Sequence, residues 1–457
     1  MSSLRWVIIA VSAAVFVAAC SGPRPDLARL YAKQANPRQP PVILIHGILG
    51  SRLEDPAGGD EAWPGSAWRL LFHDYRDLAL EIDPRTLSPL PDELRVAGIT
   101  DRAAGRDFYG EIMGVLSEAG GYERGRPGEP VAPGEKRFYV FAYDWRQDNV
   151  VTARALDGFI EQIRQDHGDP QLKVDIIAHS MGGLAARYYI RYGTVDVLDD
   201  NDFPVNGHGA ERVRRAILLG TPNLGSVTAI QTMLQGVKTA FGGVPTEVVA
   251  TFPSVYQLLP HPLNDWLIKS DGEPLERDLF DVDLWRRFQF SVFSPEVRRR
   301  IAGEYEDDGD ARARLALLER YFHRYLERGR RFVWSLTVPV PEPAVSYIVF
   351  GGNCNLTPAR ILVEEVAGES VIRLWPREIA DPVPGVDYDS LMLEPGDGVV
   401  TKASLLARET LDPTLRRHRY SFFPMRYSFF LCEAHNRLTG NINFQDNLLH
   451  ALLSVDD

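Results

Sequence analysis

Alternation of apolar runs with amphipathic segments is the feature of this sequence that most limits its fold. From residue 40 to residue 226 the chain has the pattern of buried strands, each followed by a helix. Right-handed helical crossovers between parallel strands produce this pattern and cover both faces of a sheet. The sequence therefore predicts an α/β fold with a doubly wound, mostly parallel sheet. Strands are predicted within 40–51, 137–146, 173–180 and 215–226, and helices within 107–120, 156–170 and 181–193.

The strand–helix rhythm stops between residues 227 and 343, where mixed helical patterns and several prolines replace it. The strand pattern resumes at 344–353 and again at 426–436. The simplest interpretation is one domain built from two parts of the chain, 40–226 and 344–457. A large, mostly helical cap is then expected as an insertion over 227–343.

The first twenty residues have the features of an export signal that ends in a cysteine. Arg5 precedes an uncharged apolar stretch that is shorter than a transmembrane helix needs. The stretch ends in Val-Ala-Ala-Cys at 17–20, which resembles the lipobox of bacterial lipoproteins. We therefore expect a lipoprotein signal peptide over 1–19, lipidation at Cys20 and a tether over 20–39. An ordinary signal peptide cleaved at the Ala-x-Ala-like site is the alternative.

Charge and the residue after the cysteine bear on location and partners. The formal net charge of −12 argues against nucleic-acid binding, because affinity for phosphate backbones rests on Lys and Arg. Residue 21 is Ser and not Asp, which resembles outer-membrane sorting of Gram-negative lipoproteins. We expect an exported bacterial lipoprotein at the outer membrane or a periplasm-facing membrane, with the cell surface as a further alternative.

Ser180 stands where a predicted strand meets a predicted helix, in the run Ala-His-Ser-Met-Gly-Gly. A serine nucleophile needs a base and a third group that orients the base. In an α/β-hydrolase sheet the three follow in the order Ser, acid, His, and this chain has Ser180, Asp397 and His435 in that order. The usual motif has Gly where this chain has Ala178, which is small enough for the turn. A serine that only caps a helix is the alternative.

The acid and the base each have competitors in the sequence. Asp397 is favoured because it lies in Gly-Asp-Gly, and glycines let a loop hold a carboxylate at a tight bend. His435 is favoured because it directly follows a predicted strand. A plain Asx turn and a surface loop are the alternative interpretations of these two residues. The competing residues are Asp387 and Asp389 for the acid, and His418 and His450 for the base.

An oxyanion forms during acyl transfer and needs N–H donors that are already in place. We expect one donor to be the backbone N–H of Met181, next to Ser180. The second is expected from the loop 46–50, with Ile48 as first choice and Leu49 as second.

Several pieces of the chain resemble the lecithin:cholesterol acyltransferase family, which includes lysosomal phospholipase A2 and bacterial and plant relatives. The resemblance implies an α/β-hydrolase fold in which Ser180, Asp397 and His435 correspond to the catalytic triad. It also implies hydrolysis or transfer of a fatty acyl chain from a glycerolipid through an acyl-serine intermediate. The matching pieces are PVILIHGILGSRLE (41–54), FAYDWR (141–146), IIAHSMGGLAARYY (176–189), LLGTPNLGS (218–226), FPSVYQLLP (252–260), GDGVV (396–400) and AHN (434–436).

We therefore expect a serine-dependent lipid acyl hydrolase or O-acyltransferase that uses no cofactor and no metal. The expected partners are a lipid substrate and a membrane surface, reached through the lipid anchor and, as a second candidate contact, the cap. Oligomeric state and acyl acceptor are left open. The alternatives are a non-lipid carboxylesterase or peptide hydrolase with the same triad, and a catalytically inactive lipid-binding lipoprotein.

Several family members have a disulfide-closed loop after the first strand that touches lipid. The corresponding stretch 61–75 has no cysteine, but Trp63, Trp68 and Phe72 are candidate lipid contacts. Burial of these aromatic residues against the cap is the alternative.

Cys354 and Cys432 are the cysteines that follow Cys20. An exported protein can oxidise such a pair, and in this fold the strand ends next to them are neighbours. A disulfide that braces the histidine loop is expected, with two buried free thiols as the alternative.

Overall fold

The protein is described by a computed structural model. The expected signal peptide, the lipidation site Cys20 and parts of the tether lie outside the described residues. In the part of the chain that is described, no helix is long and apolar enough to cross a membrane. The described residues are 25–32, 39–103, 106–239, 241–339 and 345–454.

A seven-stranded sheet forms the centre of the molecule. Its strands are β1 (Val42–Ile45), β2 (Glu123–Arg124), β3 (Arg137–Phe141), β4 (Val174–His179), β5 (Val213–Leu219), β6 (Ser346–Gly352) and β7 (Met425–Leu431). They lie in the order β7-β6-β5-β4-β1-β3-β2, and every neighbouring pair is parallel. This arrangement confirms the predicted α/β-hydrolase class, with a main sheet that is parallel throughout.

Helices cover the sheet and build the insertion. Most of the helices expected from the sequence are present with shifted ends; for example, the one expected within 156–170 begins earlier because Asp148 caps it and accepts a hydrogen bond from Val150 N–H. The α-helices are α1 (Leu27–Tyr31), α2 (Ala67–Phe72), α3 (Gly110–Glu118), α4 (Asn149–Asp166), α5 (Met181–Tyr192), α6 (Val227–Gln235), α7 (Thr246–Val249), α8 (Pro253–Tyr256), α9 (Val282–Arg287), α10 (Pro295–Ala302), α11 (Asp308–Ser335), α12 (Tyr388–Met392), α13 (Lys402–Leu405) and α14 (Ile442–Leu453).

Two apolar layers sandwich the main sheet. Side chains alternate along a strand, so Ile43 and Ile45 of β1 face one layer while Leu44 faces the other. The first layer includes Leu156 of α4, and the second includes Leu448 of α14. Helices therefore pack on both faces of the sheet, as a doubly wound fold requires.

The segment between β5 and β6, where we expect the cap, forms helices α6 to α11. The longest is α11, and its Arg328 ties it to the core, because the guanidinium donates hydrogen bonds to Asp148 and Asp196. Strand Leu267–Lys269 of this segment pairs in parallel with Ile361–Val366, which comes after β6. The chain after β6 therefore shares a small sheet with the segment between β5 and β6.

Short accessory strands and 3-10 helices complete the described chain. The accessory strands are Ser51–Glu54, Glu61–Trp63 and Arg95–Ile99 in one sheet; Leu267–Lys269, Ile361–Val366 and Glu369–Arg373 in another; and the pairs Asn355–Pro358 with Leu393–Gly396, Arg102–Ala103 with Arg106–Asp107, and Val237–Lys238 with Gly243–Val244. The 3-10 helices are Arg76–Leu78, Gly209–Glu211, Ser291–Phe293, Pro376–Glu378 and His435–Gly440.

Candidate active site

Ser180 occupies a sharp turn between β4 and α5. Its φ is +53° and its ψ is −126°, a backbone conformation that non-glycine residues rarely adopt and that marks functional turns. Its backbone N–H donates to the Leu219 carbonyl over 2.8 Å, which fixes the turn to β5. Ser180 stands at the position before the first residue of α5, but its side chain makes no capping hydrogen bond. The helix-cap interpretation therefore does not describe this serine.

Small residues around Ser180 allow the turn to pack. A side chain on Gly182 would overlap the His46 carbonyl, and one on Gly183 would overlap the Thr221 side chain. Ala178 is fully buried in β4, so a methyl group is accommodated where the usual motif has Gly.

His435 lies between Ser180 and Asp397. Its Nε2 is 2.9 Å from Ser180 Oγ, and its Nδ1 is 2.8 Å from Asp397 Oδ2. The backbone N–H of His435 also donates to the Asp397 carbonyl over 2.9 Å. Oδ1 of Asp397 accepts hydrogen bonds from the N–H groups of Val399 (2.9 Å) and Val400 (2.7 Å). The structure thus joins the three residues that the sequence order had singled out.

The electrostatics of Asp397 favour its charged form. Burial opposes ionisation, but the charge and hydrogen bond of His435 and the N–H groups of Val399 and Val400 together lower the pKa of Asp397. An ionised Asp397 accepts a hydrogen bond from His435 Nδ1–H, so the lone pair at Nε2 faces Ser180 Oγ. This is the arrangement that a base needs to take the serine proton.

The competing acids and bases lie elsewhere on the surface. Asp387 caps α12 and accepts hydrogen bonds from Ser390, and Asp389 is exposed on the same helix. His418 and His450 are also exposed. The structure brings none of these four to Ser180.

The loop after β1 reaches the nucleophile. A Cβ on Gly47 would come 2.8 Å from Ser180 Cβ, so Gly47 packs closely against Ser180 with no room for a side chain. Leu49 has a φ of +63°, and Ile48 and Leu49 pack partly buried against the core. Met181 is fully buried at the start of α5. The expected oxyanion donors are therefore near Ser180, and their roles as donors stay a prediction.

A buried network around the site was not visible in the sequence motif. His46 Nδ1 donates to the Gly47 carbonyl over 2.7 Å, and its Nε2 accepts from Tyr143 N–H over 3.1 Å. Its ring stacks on Tyr143 at a centroid distance of 4.2 Å, and burial lowers the pKa of His46 to about 4. Tyr109 and His179 form a second set of contacts, which begins at the backbone N–H of Gly47. Polar aromatic residues beside apolar strands are the sequence signal that could have indicated such a network.

Cys354 and Cys432 form a disulfide across the ends of β6 and β7. Their Cα atoms are 4.9 Å apart, and both residues are exposed, so the alternative of two buried free thiols is wrong. Cys432 comes three residues before His435, so the bridge holds the start of the histidine loop to the neighbouring strand.

One candidate lipid contact is corrected by the structure. Trp63 is only 6% exposed, because its ring packs against Tyr75 and Trp145 and its Nε1–H donates to the Leu49 carbonyl. Trp68 and Phe72 of α2, by contrast, are 72% and 45% exposed. Burial, the alternative interpretation, therefore holds for Trp63, whereas lipid contact by Trp68 and Phe72 stays a prediction.

An exposed aromatic surface extends from α2. Phe72 contacts Trp68 at 4.2 Å with tilted rings and stacks on Phe241 at 5.3 Å between ring centroids, and Phe241 is 77% exposed. The backbone N–H of Phe241 donates to the Leu71 carbonyl, which joins the two elements. We call Trp68, Leu71, Phe72 and Phe241 the aromatic surface.

Arg146 of the Tyr-Asp-Trp-Arg element is fully buried. Its guanidinium bonds both carboxylate oxygens of Asp144 and pairs with Asp92. These contacts hold the loop after β3 in place. Within the described residues, no group of three or more His, Cys, Asp or Glu side chains is arranged to hold a metal ion.

The strand order and the geometry around Ser180 define an α/β-hydrolase. Within that class, residues 134–280 match the family model of lecithin:cholesterol acyltransferase, which confirms the resemblance found in the sequence. The matched segment includes Ser180 and ends before Asp397 and His435. The match supports an enzyme that acts on lipid esters.

Solved structures were also compared with the chain. The structure of the Tle4–Tli4 complex is similar at a TM-score of 0.57 and 17% identity, over 90% of this chain and 98% of that one, and it shares the fold. Lipase BlEst2 of Bacillus licheniformis in its mature form gives a TM-score of 0.33 at 12% identity, over 93% and 95% of the two chains. Lipase 1 from Pelosinus fermentans gives 0.36 at 12% identity, over 92% and 100%. No curated protein sequence matches the chain.

Proposed function

We propose that this protein is a serine-dependent lipid acyl hydrolase or O-acyltransferase that cleaves ester bonds of glycerolipids or phospholipids. The observation that carries the proposal is the position of His435, within hydrogen-bond distance of both Ser180 Oγ and Asp397 Oδ2. The strained conformation of Ser180 at the turn between β4 and α5 supports the proposal, as does the family match over 134–280.

The proposed reaction starts with proton transfer from Ser180 Oγ to His435 Nε2 as Oγ attacks the ester carbonyl. Asp397 stabilises the imidazolium that forms. The backbone N–H groups of Met181 and Ile48 receive the oxyanion, with Leu49 as the second choice for the latter. His435 then gives its proton to the leaving alcohol, and an acyl-serine remains.

A second acceptor completes the cycle. Water gives a free fatty acid, whereas another alcohol gives a new ester, and both routes use the same acyl-serine. We therefore propose acyl transfer alongside hydrolysis without choosing between the two acceptors.

The lipid character of the substrate is supported by the aromatic surface. Large exposed apolar patches on proteins mark interaction sites, and aromatic rings favour the interface between water and lipid. Trp68, Phe72 and Phe241 present such rings beside the loop region that follows β1. We propose that this surface contacts the lipid layer that holds the substrate, with the lipid on Cys20 as the anchor of an exported, outer-membrane or periplasm-facing lipoprotein.

The central test uses the purified full chain and its Ser180→Ala variant. Each is incubated with phospholipid vesicles that contain a sterol or a fatty alcohol, and fatty acids and new esters are quantified. The wild type is expected to release fatty acid or form ester, and Ser180→Ala neither. Ser390→Ala, an exposed serine on α12, is the matched control and should keep full activity. A wild type that yields neither product contradicts the proposal.

The alternative function, a soluble-ester or peptide hydrolase, is tested by the ratio of vesicle hydrolysis to short-chain ester hydrolysis. Trp68→Ser combined with Phe241→Ser is expected to lower the ratio of vesicle to short-chain ester hydrolysis by about tenfold or more, because apolar area is lost from the lipid contact. Leu356→Ser removes a comparably exposed residue (65%) outside this surface and should leave the ratio unchanged. An unchanged ratio in the double variant would favour the soluble-ester rival.

A further inference from the structure

A chain of buried hydrogen bonds connects the loop after β1 to the base. The backbone N–H of Gly47 donates to Tyr109 Oη over 3.0 Å, and Tyr109 Oη lies 2.8 Å from His179 Nδ1. On its other side, His179 Nε2 lies 3.2 Å from the backbone carbonyl of His435. Tyr109 and His179 are both buried, so water does not compete strongly for these contacts.

The two end groups, the Gly47 N–H and the His435 carbonyl, fix which atom donates in each hydrogen bond. The His435 carbonyl can only accept, so His179 Nε2 must carry the proton and donate it. His179 Nδ1 is then a lone pair that accepts from the Tyr109 hydroxyl, while the hydroxyl oxygen accepts from Gly47 N–H. Each donor in this series of hydrogen bonds has an acceptor, and one tautomer of His179 satisfies every contact.

His179 is also a neutral neighbour of the base. Its ring lies 4.8 Å from the His435 ring, and the pKa of His179 is lowered to about 3, first by burial and then by the charge of His435. A second cation at this distance would oppose the imidazolium that His435 forms during catalysis. A neutral His179 avoids that repulsion and still supplies an N–H donor.

The contacts hold the backbone of His435 from two sides. Its N–H donates to the Asp397 carbonyl and its carbonyl accepts from His179 Nε2, so the imidazole is set between Asp397 and Ser180. At the far end, the bond from Gly47 N–H to Tyr109 holds the peptide between His46 and Gly47, one residue before Ile48.

We propose that Tyr109 and His179 are positioning residues that lock the base and the loop after β1 into one arrangement around Ser180. The proposal rests on the proposed function of Ser180 and His435. Tyr109 is suited to this part because it immediately precedes α3 and is packed in the apolar layer with α14. A shift of about 1 Å in either His435 or Ile48 would cost about a hundredfold in rate.

The alternative is that the two residues only fill the core. A core-filling role predicts that removing a polar atom changes stability and leaves turnover of the folded enzyme unchanged. A positioning role predicts a fall in kcat at nearly constant KM, since neither residue contacts substrate. It also predicts rescue by a side chain that restores the donor to the His435 carbonyl.

The test compares four variants of the full chain on a soluble short-chain ester, with kcat, KM, melting temperature and the rate of Ser180 labelling by a fluorophosphonate. Tyr109→Phe and His179→Ala are expected to lower kcat and the labelling rate about 10–100-fold. His179→Gln keeps an N–H at the Nε2 position and should recover most of that loss. Tyr122→Phe removes another buried hydroxyl from the same apolar layer and should keep the wild-type kcat.

The outcomes separate the inference from the proposed function. A wild type without turnover contradicts the proposed function, and the inference fails with it. An active wild type with a Tyr109→Phe variant of equal kcat overturns the inference alone. The inference alone is also overturned if folded His179→Gln is as slow as His179→Ala. If His179→Ala does not fold, the kcat of Tyr109→Phe decides between positioning and core filling.

Discussion

Gly47 lies directly against Ser180. A methyl group on Gly47 would come 2.8 Å from Ser180 Cβ, which is closer than packed atoms tolerate, and 3.3 Å from the His179 carbonyl oxygen. Both of these neighbours belong to the strand end and turn that carry the candidate nucleophile. The loop after β1 therefore approaches Ser180 so closely only because residue 47 has no side chain.

Substitution of Gly47 by Ala should consequently damage catalysis more than folding. The new methyl group must push the loop away from Ser180, and a displacement of about 1 Å at an oxyanion donor costs about a hundredfold in kcat. Gly114→Ala is the matched control, because a methyl group there meets nothing within 4 Å and improves helix propensity in α3. The measurement is kcat on a short-chain ester together with the melting temperature. Equal kcat in the two variants would contradict this account.

The order of Ser180, Asp397 and His435 along the chain, together with the Gly-Asp-Gly turn and the strand before His435, selected the candidate site residues. Strand topology dictates that order, so the prediction did not depend on the missing glycine at Ala178. The sequence could not show the backbone of Ser180 in its strained conformation, nor the bond between His435 N–H and Asp397. Those features arise only when β4, β6 and β7 are brought side by side.

Replacement of Asp397 by Asn should abolish most of the activity while the protein stays folded. The Asn oxygen can still accept from Val399 and Val400 N–H, but its NH₂ group then faces His435 Nδ1. That contact favours the tautomer with the proton on Nε2, which cannot take a proton from Ser180, and kcat should fall about 10³–10⁴-fold. Asp389→Asn is the control and should be as active as the wild type. Steady-state kinetics on both variants decide whether Asp397 is the acid.

In the aromatic stretch 61–75, the sequence did not predict which aromatic residues are buried. Trp63 and Trp68 are only five residues apart and each follows an alanine, yet one is in the core and the other is on the surface. The difference comes from the strand Glu61–Trp63, which pairs with Ser51–Glu54 and turns Trp63 toward Trp145. Long-range pairings of this kind, like the one between Leu267–Lys269 and Ile361–Val366, leave no local periodicity in the sequence.

Removal of Arg328 should loosen the attachment of α11 to the rest of the protein. This largely buried guanidinium neutralises Asp148 and Asp196 and links α11 to the first part of the core. Arg328→Met removes the cation of Asp148 and leaves Asp196 with Arg154 at 3.9 Å, and it should lower the free energy of unfolding by about 3 kcal/mol. Arg286→Met breaks an exposed pair with Asp283 and should cost less than about 1 kcal/mol. Urea denaturation of both variants measures the difference. Equal losses of unfolding free energy would contradict a stabilising role for the Arg328 ion pairs.

Acid should destabilise the fold through buried neutral histidines. Burial lowers the pKa of His46 to about 4 and of His179 and His261 to about 3, with nearby His418 and Arg187 adding to the effect at His261. In the unfolded chain these rings take up protons below about pH 6.5, so the unfolded state binds more protons. The free energy of unfolding should therefore fall as pH falls from about 6.5 toward 4, with a slope that approaches about 4 kcal/mol per pH unit for three groups.

One variant isolates a single histidine in that acid response. His261→Gln removes one titrating ring, so the slope of unfolding free energy against pH should decrease by about one third. Urea denaturation at several pH values between about 7 and 4 gives both slopes. Identical slopes for the variant and the wild type would show that His261 does not contribute.

The disulfide between Cys354 and Cys432 should stabilise both the fold and the histidine loop that carries His435. It closes a segment with a sequence separation of 78 residues and joins the ends of β6 and β7 just before His435. Replacing both cysteines by Ser should lower the free energy of unfolding by about 2–4 kcal/mol, because the unfolded chain regains freedom. We also expect a lower kcat, because His435 is only three residues from the freed end.

The matched experiment treats the wild type and the double variant with dithiothreitol and measures the urea midpoint and kcat of each. Both values of the wild type should fall to those of the variant, and the variant should not change. A wild type that keeps both values after complete reduction, shown by thiol titration, would exclude a bracing role for the bridge.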